Sequence, residues 1–135
     1  MAGSRSLFLR YRLPAILWAV LIFVGSSIPS KAFPVLKIFD FDKLIHISIF
    51  FVFGVLVYRA FAATDAEDSY RWSRAILAIG VVLIYGVIDE FHQSFVPGRS
   101  PDVWDATADT VGGILSMLVL FLYRRVKAMR RRVEV

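Results

Sequence analysis

Four long apolar stretches, separated by short polar ones, set the plan of this 135-residue chain. They run over residues 13–28, 44–63, 75–91 and 106–123. An α-helix needs about 20 apolar residues, within a range near 17–25, to cross the hydrocarbon layer of a bilayer. The first stretch is short by this measure unless Leu7–Leu9 adds to it, and the third reaches full length only if its helix continues through Asp89–Phe91. The pattern therefore predicts an all-α integral membrane protein with four spans. Helix punctuation agrees. Pro14 suits a first-turn position, and Pro29, Pro34, Pro97 and Pro101 fall in the connections. Ser100 or Asp102 is placed to cap the fourth helix. Short connections favour antiparallel neighbours in an up-down four-helix bundle, and the length fits a single domain, residues 1–135.

Composition strengthens this reading. The chain is 58% hydrophobic, above the roughly 45–50% of soluble domains, and its charges sit in blocks between the apolar stretches. It has no cysteine, which excludes disulfides, thiolate metal sites and cysteine nucleophiles. The net charge is +5, concentrated in the tail "RRVKAMRRR", Arg124 to Arg132. Directly after a span, such a run reads as an anchor on anionic lipid rather than a nucleic-acid site, so the lipid bilayer is the expected partner and nucleic acid is not.

Basic residues also set the direction of the chain. The N-terminus, the connection between spans two and three and the C-terminal tail carry twelve Lys and Arg; the other side has four, Lys31, Lys37, Lys43 and Arg99. Both termini are expected in the cytoplasm, in a multi-pass protein of the inner or plasma membrane. Residues 5–32 also carry features of a secretory signal, with "SKA" as a cleavage motif. The long apolar run and Lys31 beside the cut disfavour it.

Ionisable groups crowd the side opposite the termini. In "DFDKLIH", Asp42 and His46 are four residues apart and share a helix face. In "DEFHQ", Asp89, His92 and Gln93 share a face, with Glu90 turned about 100° from Asp89. Asp102, Asp105, Asp109, Gly112 and Ser116 then follow at spacings of three and four, a polar stripe of small residues running down the fourth span. Gly112 and Gly113 allow a neighbouring helix to come close. Asp109 lies about one turn inside, where a carboxylate costs ~2.5 kcal/mol or more near the span centre. Asp42, Asp89, Glu90, Asp102, Asp105 and Asp109 against Lys43 and Arg99 leave a formal −4. Three outcomes follow from such crowding: some carboxyls protonate and serve as general acids, a divalent cation sits among them with a histidine nitrogen, or they disperse as caps and salt bridges.

These residues resemble the pattern of the VanZ-like family of small bacterial membrane proteins. "DKLIH" is similar to its Asp-Lys-x-x-His, with Asp42, Lys43 and His46. "DEFHQ" matches Asp-Glu-x-x-Gln, with Asp89, Glu90 and Gln93, and "PGR" supplies Arg99. Asp105 and Asp109 stand at its Asp-x-x-x-Asn, followed by Gly112, so Asp109 occupies the place of a common Asn. "GSS", Gly25 to Ser27, resembles the serine-bearing end of the family's first helix. The resemblance covers roughly residues 13–117 and implies cell-envelope biology, the namesake being associated with glycopeptide resistance.

Three functions compete. In the first, a membrane-embedded hydrolase or transferase acts on a lipid-linked or phosphate-bearing envelope substrate. His46 or His92 is the base, Asp42 or Asp89 orients it, and Glu90 is the acid. Arg99, Gln93, Lys43 and Ser27 contact the substrate, and a divalent cation offsets the carboxylates at Asp102, Asp105 and Asp109. In the second, a proton- or cation-coupled module binds or moves a lipid or drug, which with four spans calls for a homo-oligomer. In the third, the polar groups only close the bundle of a non-catalytic envelope partner. All three share one topology. Reporter fusions should place the segment around Arg99 outside the cytosol and both termini inside; a segment that reports from the cytosol overturns the assignment.

Overall fold

The computed structural model describes residues 2–29, 39–63 and 70–133. Pro34, Lys31, Lys37 and the cleavage motif at 30–32 lie outside them. The chain forms α1 (Ala2–Leu7), one π-helical turn (Phe8–Arg12), α2 (Leu13–Ser26), α3 (Phe39–Phe61), α4 (Trp72–Gln93) and α5 (Val103–Val133). No strand occurs among the described residues. Four segments are long and apolar enough to span a membrane: Arg5–Ser26, Asp42–Phe61, Trp72–Gln93 and Val103–Val133. The protein is a four-span helical membrane protein.

The first apolar segment reaches back past Leu13 to Arg5. Pro14 lacks an N–H and crowds the carbonyl four residues before it, which ordinarily stops a helix. Here the ladder widens instead: the Leu13 N–H bonds to the Phe8 carbonyl, five residues back, as in a π-bulge. The helix passes the proline, Leu7–Leu9 joins the span, and its length becomes 22 residues. At the other end of the chain α5 runs on from Tyr123 to Val133. Lys and Arg are good helix formers, and cations suit a helix C-terminus.

The buried faces reverse the usual order of polarity. On α5 they are Asp105, Ala108, Asp109, Gly112, Gly113, Ser116 and Met117, a stripe at helical spacing. On α2 only Ala15, Ile22 and Ser26 are buried, while Ile16, Leu17, Val20, Leu21 and Val24 face outward. An apolar exterior this extensive is covered by acyl chains in a bilayer.

Sequential spans alternate in direction as expected, yet the most extensive contact joins α3 and α5, which run parallel. Small residues explain it. Gly112 lies on the backbone of Ile47 and Phe51, so closely that a Cβ there would come within 3.0 Å of the Phe51 nitrogen and nearer still to the Ile47 carbonyl oxygen. Gly54 faces Gly113 and Ser116, and Val82 of α4 fills the space above Gly113. α4 packs on both α3 and α5, while α2 packs on α3 and α4. Phe50, Phe53, Val57, Tyr58, Ala78, Val82 and Met117 form the core, and the Tyr85 hydroxyl ties α2 to it by donating to the Ala19 carbonyl at 2.5 Å.

The two ends differ in charge. At one, Arg59 lies over the Tyr11 ring at 5.8 Å and Arg124 over Tyr58 at 5.3 Å, and the Tyr58 hydroxyl accepts the Arg71 N–H at 3.1 Å. The carboxylates gather at the opposite end, about 18 Å along α3 from Tyr58 to His46. Gly112→Ala should destabilise the purified protein by about 1–3 kcal/mol, since backbone cannot give way to the new methyl. Gly80→Ala, where an added Cβ meets nothing within 4 Å, is the matched control. Equal thermal stability of the two variants in detergent would refute the tight α3–α5 contact.

Candidate functional site

The acidic end is built from the ends of four helices, α2 to α5, and the turns beside them. Parallel packing of α3 and α5 sets Lys43 and His46 against the first turns of α5. Lys43 Nζ bonds Asp102 Oδ2 at 2.8 Å and also Asp105 Oδ1. One turn deeper, His46 Nδ1 lies 2.9 Å from Asp109 Oδ1, and its Nε2 is 3.9 Å from Asp105 Oδ2. Asp109 is fully buried. Asp102 caps α5, accepting the Trp104 N–H at 2.9 Å. Its own N–H donates to Glu90 Oε2 at 2.8 Å, so a carboxylate of α4 holds the turn that starts α5.

A second network links α2 to α4. Ser26 Oγ donates to Asp89 Oδ1 at 2.6 Å, and Gln93 Nε2 donates to Asp89 Oδ2 at 2.9 Å. Arg99 then closes the circuit: Nη1 donates to Gln93 Oε1 at 3.0 Å and Nε to the Ile28 carbonyl at 3.1 Å. The turn Val96–Arg99 presents that guanidinium. Gly98 takes φ 78°, which a type II turn requires at its third position and an L side chain resists.

The two histidines separate. Ser27 has one hydroxyl proton and two neighbours, the Phe23 carbonyl at 2.6 Å and His92 Nε2 at 2.9 Å. The His92 tautomer decides which of the two, Ser27 or His92, donates in the second contact. His92 also stacks on Phe23 at 4.4 Å, on the α2 side, with no bond to the His46 network.

Between α2 and α3 lies a cavity of about 360 Å³. Its wall is Trp18, Leu21, Ile22, Ile45, Ile49 and Phe50; its polar end is Ser26, Asp42, His46, Asp89, Gln93 and Arg99. Trp18 Nε1 donates to the Ile49 carbonyl at 3.0 Å, which fixes the indole as part of the wall, whereas Trp72 and Trp104 are exposed. Two sets of residues each bring one ligand atom apiece within 4.8 Å of each other: Asp42, His46 and Asp105, and His46, Glu90 and Asp109. Asp102 belongs to neither set, its oxygens being held by Lys43 and Trp104.

The structure thus gathers Asp42, His46, Asp89, Gln93 and Arg99 at the cavity, and Lys43, Glu90, Asp102, Asp105 and Asp109 along the seam beside it. Ser27 and His92 stand apart. Sequence reasoning named Ser27 and passed over Ser26, the buried donor to Asp89; the adjacent serines of "GSS" were the signal, and one helical step of about 100° separates their directions. Glu90, 7% exposed, is buried where α4 meets the start of α5.

A small four-span helical protein with a His-carboxylate seam and an amphipathic cavity at one end is the class these features define. The chain belongs to the VanZ/LLP1 family, whose model matches residues 11–124. It is also similar to an uncharacterized protein of the yeast Schizosaccharomyces pombe, with 30% identity over 93 residues, 69% of this chain and 54% of the relative. The chain therefore spans about half the length of the curated relative it matches. No solved structure matches.

Asp102, outside the spans, has its carboxyl held below the usual range, first by the Lys43 hydrogen bond and then by the Trp104 N–H. A carboxyl lowered on folding stabilises the native state above its unfolded pKa, and that contribution is lost as pH falls through the folded value. Asp102→Asn keeps a capping side chain but loses the ion pair. It should melt below wild type at neutral pH, with the gap closing below about pH 4. A gap that stays constant into strong acid counts against the pair.

Proposed function

We propose that the protein binds a lipid-linked amphiphile of the cell envelope, with its headgroup at the polar end of the cavity and its chain along the apolar wall. The supporting observation is the cavity between α2 and α3, which joins six apolar side chains to Ser26, Asp42, His46, Asp89, Gln93 and Arg99. Its volume falls within the roughly 300–1,000 Å³ of small-molecule sites, enough for a headgroup and the first part of a chain. Asp42 and Asp89 favour a headgroup rich in hydroxyl or amino donors. A phosphate is best accommodated toward Arg99, whose Nε and Nη1 already serve Ile28 and Gln93.

Chemistry on the bound headgroup is the second reading, and one observation favours it. Asp109 engages His46 Nδ1 at 2.9 Å, which orients the ring and leaves Nε2 as the general base or acid toward the cavity. In this reading the site faces away from the cytosol in the inner or plasma membrane, the direction that the basic residues favour.

Gly25 lines the cavity, and an added Cβ there meets nothing within 4 Å. Gly25→Phe should therefore fold and fill the cavity. After incubation with a total membrane lipid extract and repurification, mass spectrometry should find a lipid class enriched on wild type and absent from Gly25→Phe. His46→Gln should retain the same lipid unmodified if the site also turns it over. Equal lipid content in wild type and Gly25→Phe sinks the binding proposal; identical lipid products with wild type and His46→Gln sink the catalytic one.

A further inference from the structure

The cavity uses one side of His46. Its other side meets groups that the cavity does not use. Asp109 is fully buried and Glu90 is 7% exposed. Each keeps one buried carboxylate oxygen, Asp109 Oδ2 and Glu90 Oε1, with no hydrogen-bond partner among the described residues. The companion oxygens are occupied, by His46 and by the Asp102 N–H. Bare carboxylate oxygens enclosed by helices in hydrocarbon are costly, and such groups are normally paired, protonated or bound to metal. No lysine or arginine is bonded to either side chain among the described residues; Lys43 is bonded to Asp102 and Asp105.

The three side chains come from three helices. One ligand atom each from His46 of α3, Glu90 of α4 and Asp109 of α5 lies within 4.8 Å of the other two. Nitrogen and oxygen ligands about 2.1 Å from one ion stand up to about 4.2 Å apart, so a small contraction closes the set. We infer that His46, Glu90 and Asp109 hold one divalent first-row transition-metal ion, Zn²⁺ or Mn²⁺. A dication matches the charge of two carboxylates and gives their bare oxygens a partner. The imidazole nitrogen selects against Mg²⁺ and Ca²⁺, which prefer oxygen alone. With Nδ1 on the ion, Nε2–H faces Asp105 Oδ2, now 3.9 Å away, and that carboxylate becomes the outer partner which orients a ligating histidine.

The alternative set, Asp42, His46 and Asp105, is the weaker site. Asp105 is already bonded to the Lys43 ammonium, which repels a dication, and Asp42 is only half-buried where Glu90 and Asp109 are buried. The inner ion would join α3, α4 and α5 at the depth of Asp109. The inference goes beyond the amphiphile reading and does not need it; metal content and lipid retention can be measured on one sample, and either can fail alone.

The test uses the full chain in nanodiscs, stripped with a chelator, reloaded with Zn²⁺ or Mn²⁺ and desalted. Elemental analysis should find one ion per chain, and pulsed electron paramagnetic resonance of the Mn²⁺ form should show coupling to a single imidazole nitrogen. Glu90→Gln and Asp109→Asn should each lose the ion, and Asp42→Asn should keep it. Should either isosteric variant fail to fold, the melting temperature of wild type decides: a rise with Zn²⁺ or Mn²⁺ and none with Mg²⁺ supports the site, and no rise with any of them overturns it. Wild type that retains no ion overturns it, as does retention by a folded Glu90→Gln, Asp109→Asn double variant or loss in Asp42→Asn with retention in Glu90→Gln.

Discussion

Close approach of α3 and α5 is the condition on which the polar end of this molecule depends. A 2.9 Å bond between His46 and Asp109, and a lysine reaching two aspartates of the neighbouring helix, require axes nearer than side chains of ordinary size permit. Gly54, Gly112 and Gly113 supply that nearness. Lipid offers no hydrophobic force to press helices together, so contact surfaces of small residues and polar pairs must hold them. The stripe on α5 does both: its glycines set the distance, and its aspartates use it. Adhesion between the helices and the chemistry of the site are therefore one feature.

Much of this was legible in the sequence. Length and apolarity gave four spans, and the spacing of Asp105, Asp109, Gly112 and Ser116 gave the buried stripe. The start of the first span stayed open between Leu7 and Leu13, because Pro14 obeys a local rule, favouring a helix beginning, that a π turn can circumvent. Which helices touch was not legible. Four antiparallel rods can be arranged in several ways, and the choice is made by whether Gly112 meets a backbone or a side chain. The same limit explains the histidines. Spacing tells which face of its own helix a residue occupies; it does not tell which neighbour covers that face. His46 meets α5, whereas His92 meets α2. Glu90 looked displaced from Asp89, yet both are buried, because α4 is flanked by α2 on one side and α5 on the other.

Charge is sorted along the bundle as well as across it. Aromatic rings and arginines close one end, with Tyr58 wholly buried between Arg124 and the start of α4. Carboxylates, amide and imidazole close the other. Family membership extends over both ends, residues 11–124. Asp109, where the resemblance leads one to expect asparagine, places a carboxyl group at the deepest polar level of this chain.

The Arg99 bond to the Ile28 carbonyl is a clasp across the rim of the bundle, joining the end of the first span to the turn before α5. The flank beside Leu21 and Gly25 is exposed and apolar, so in a bilayer a guest of the proposed site would meet acyl chains there rather than water. A guest would then arrive by sliding sideways within its own leaflet. Its partition between membrane and solution, and its crowding in two dimensions, would govern occupancy more than its amount in the surrounding fluid.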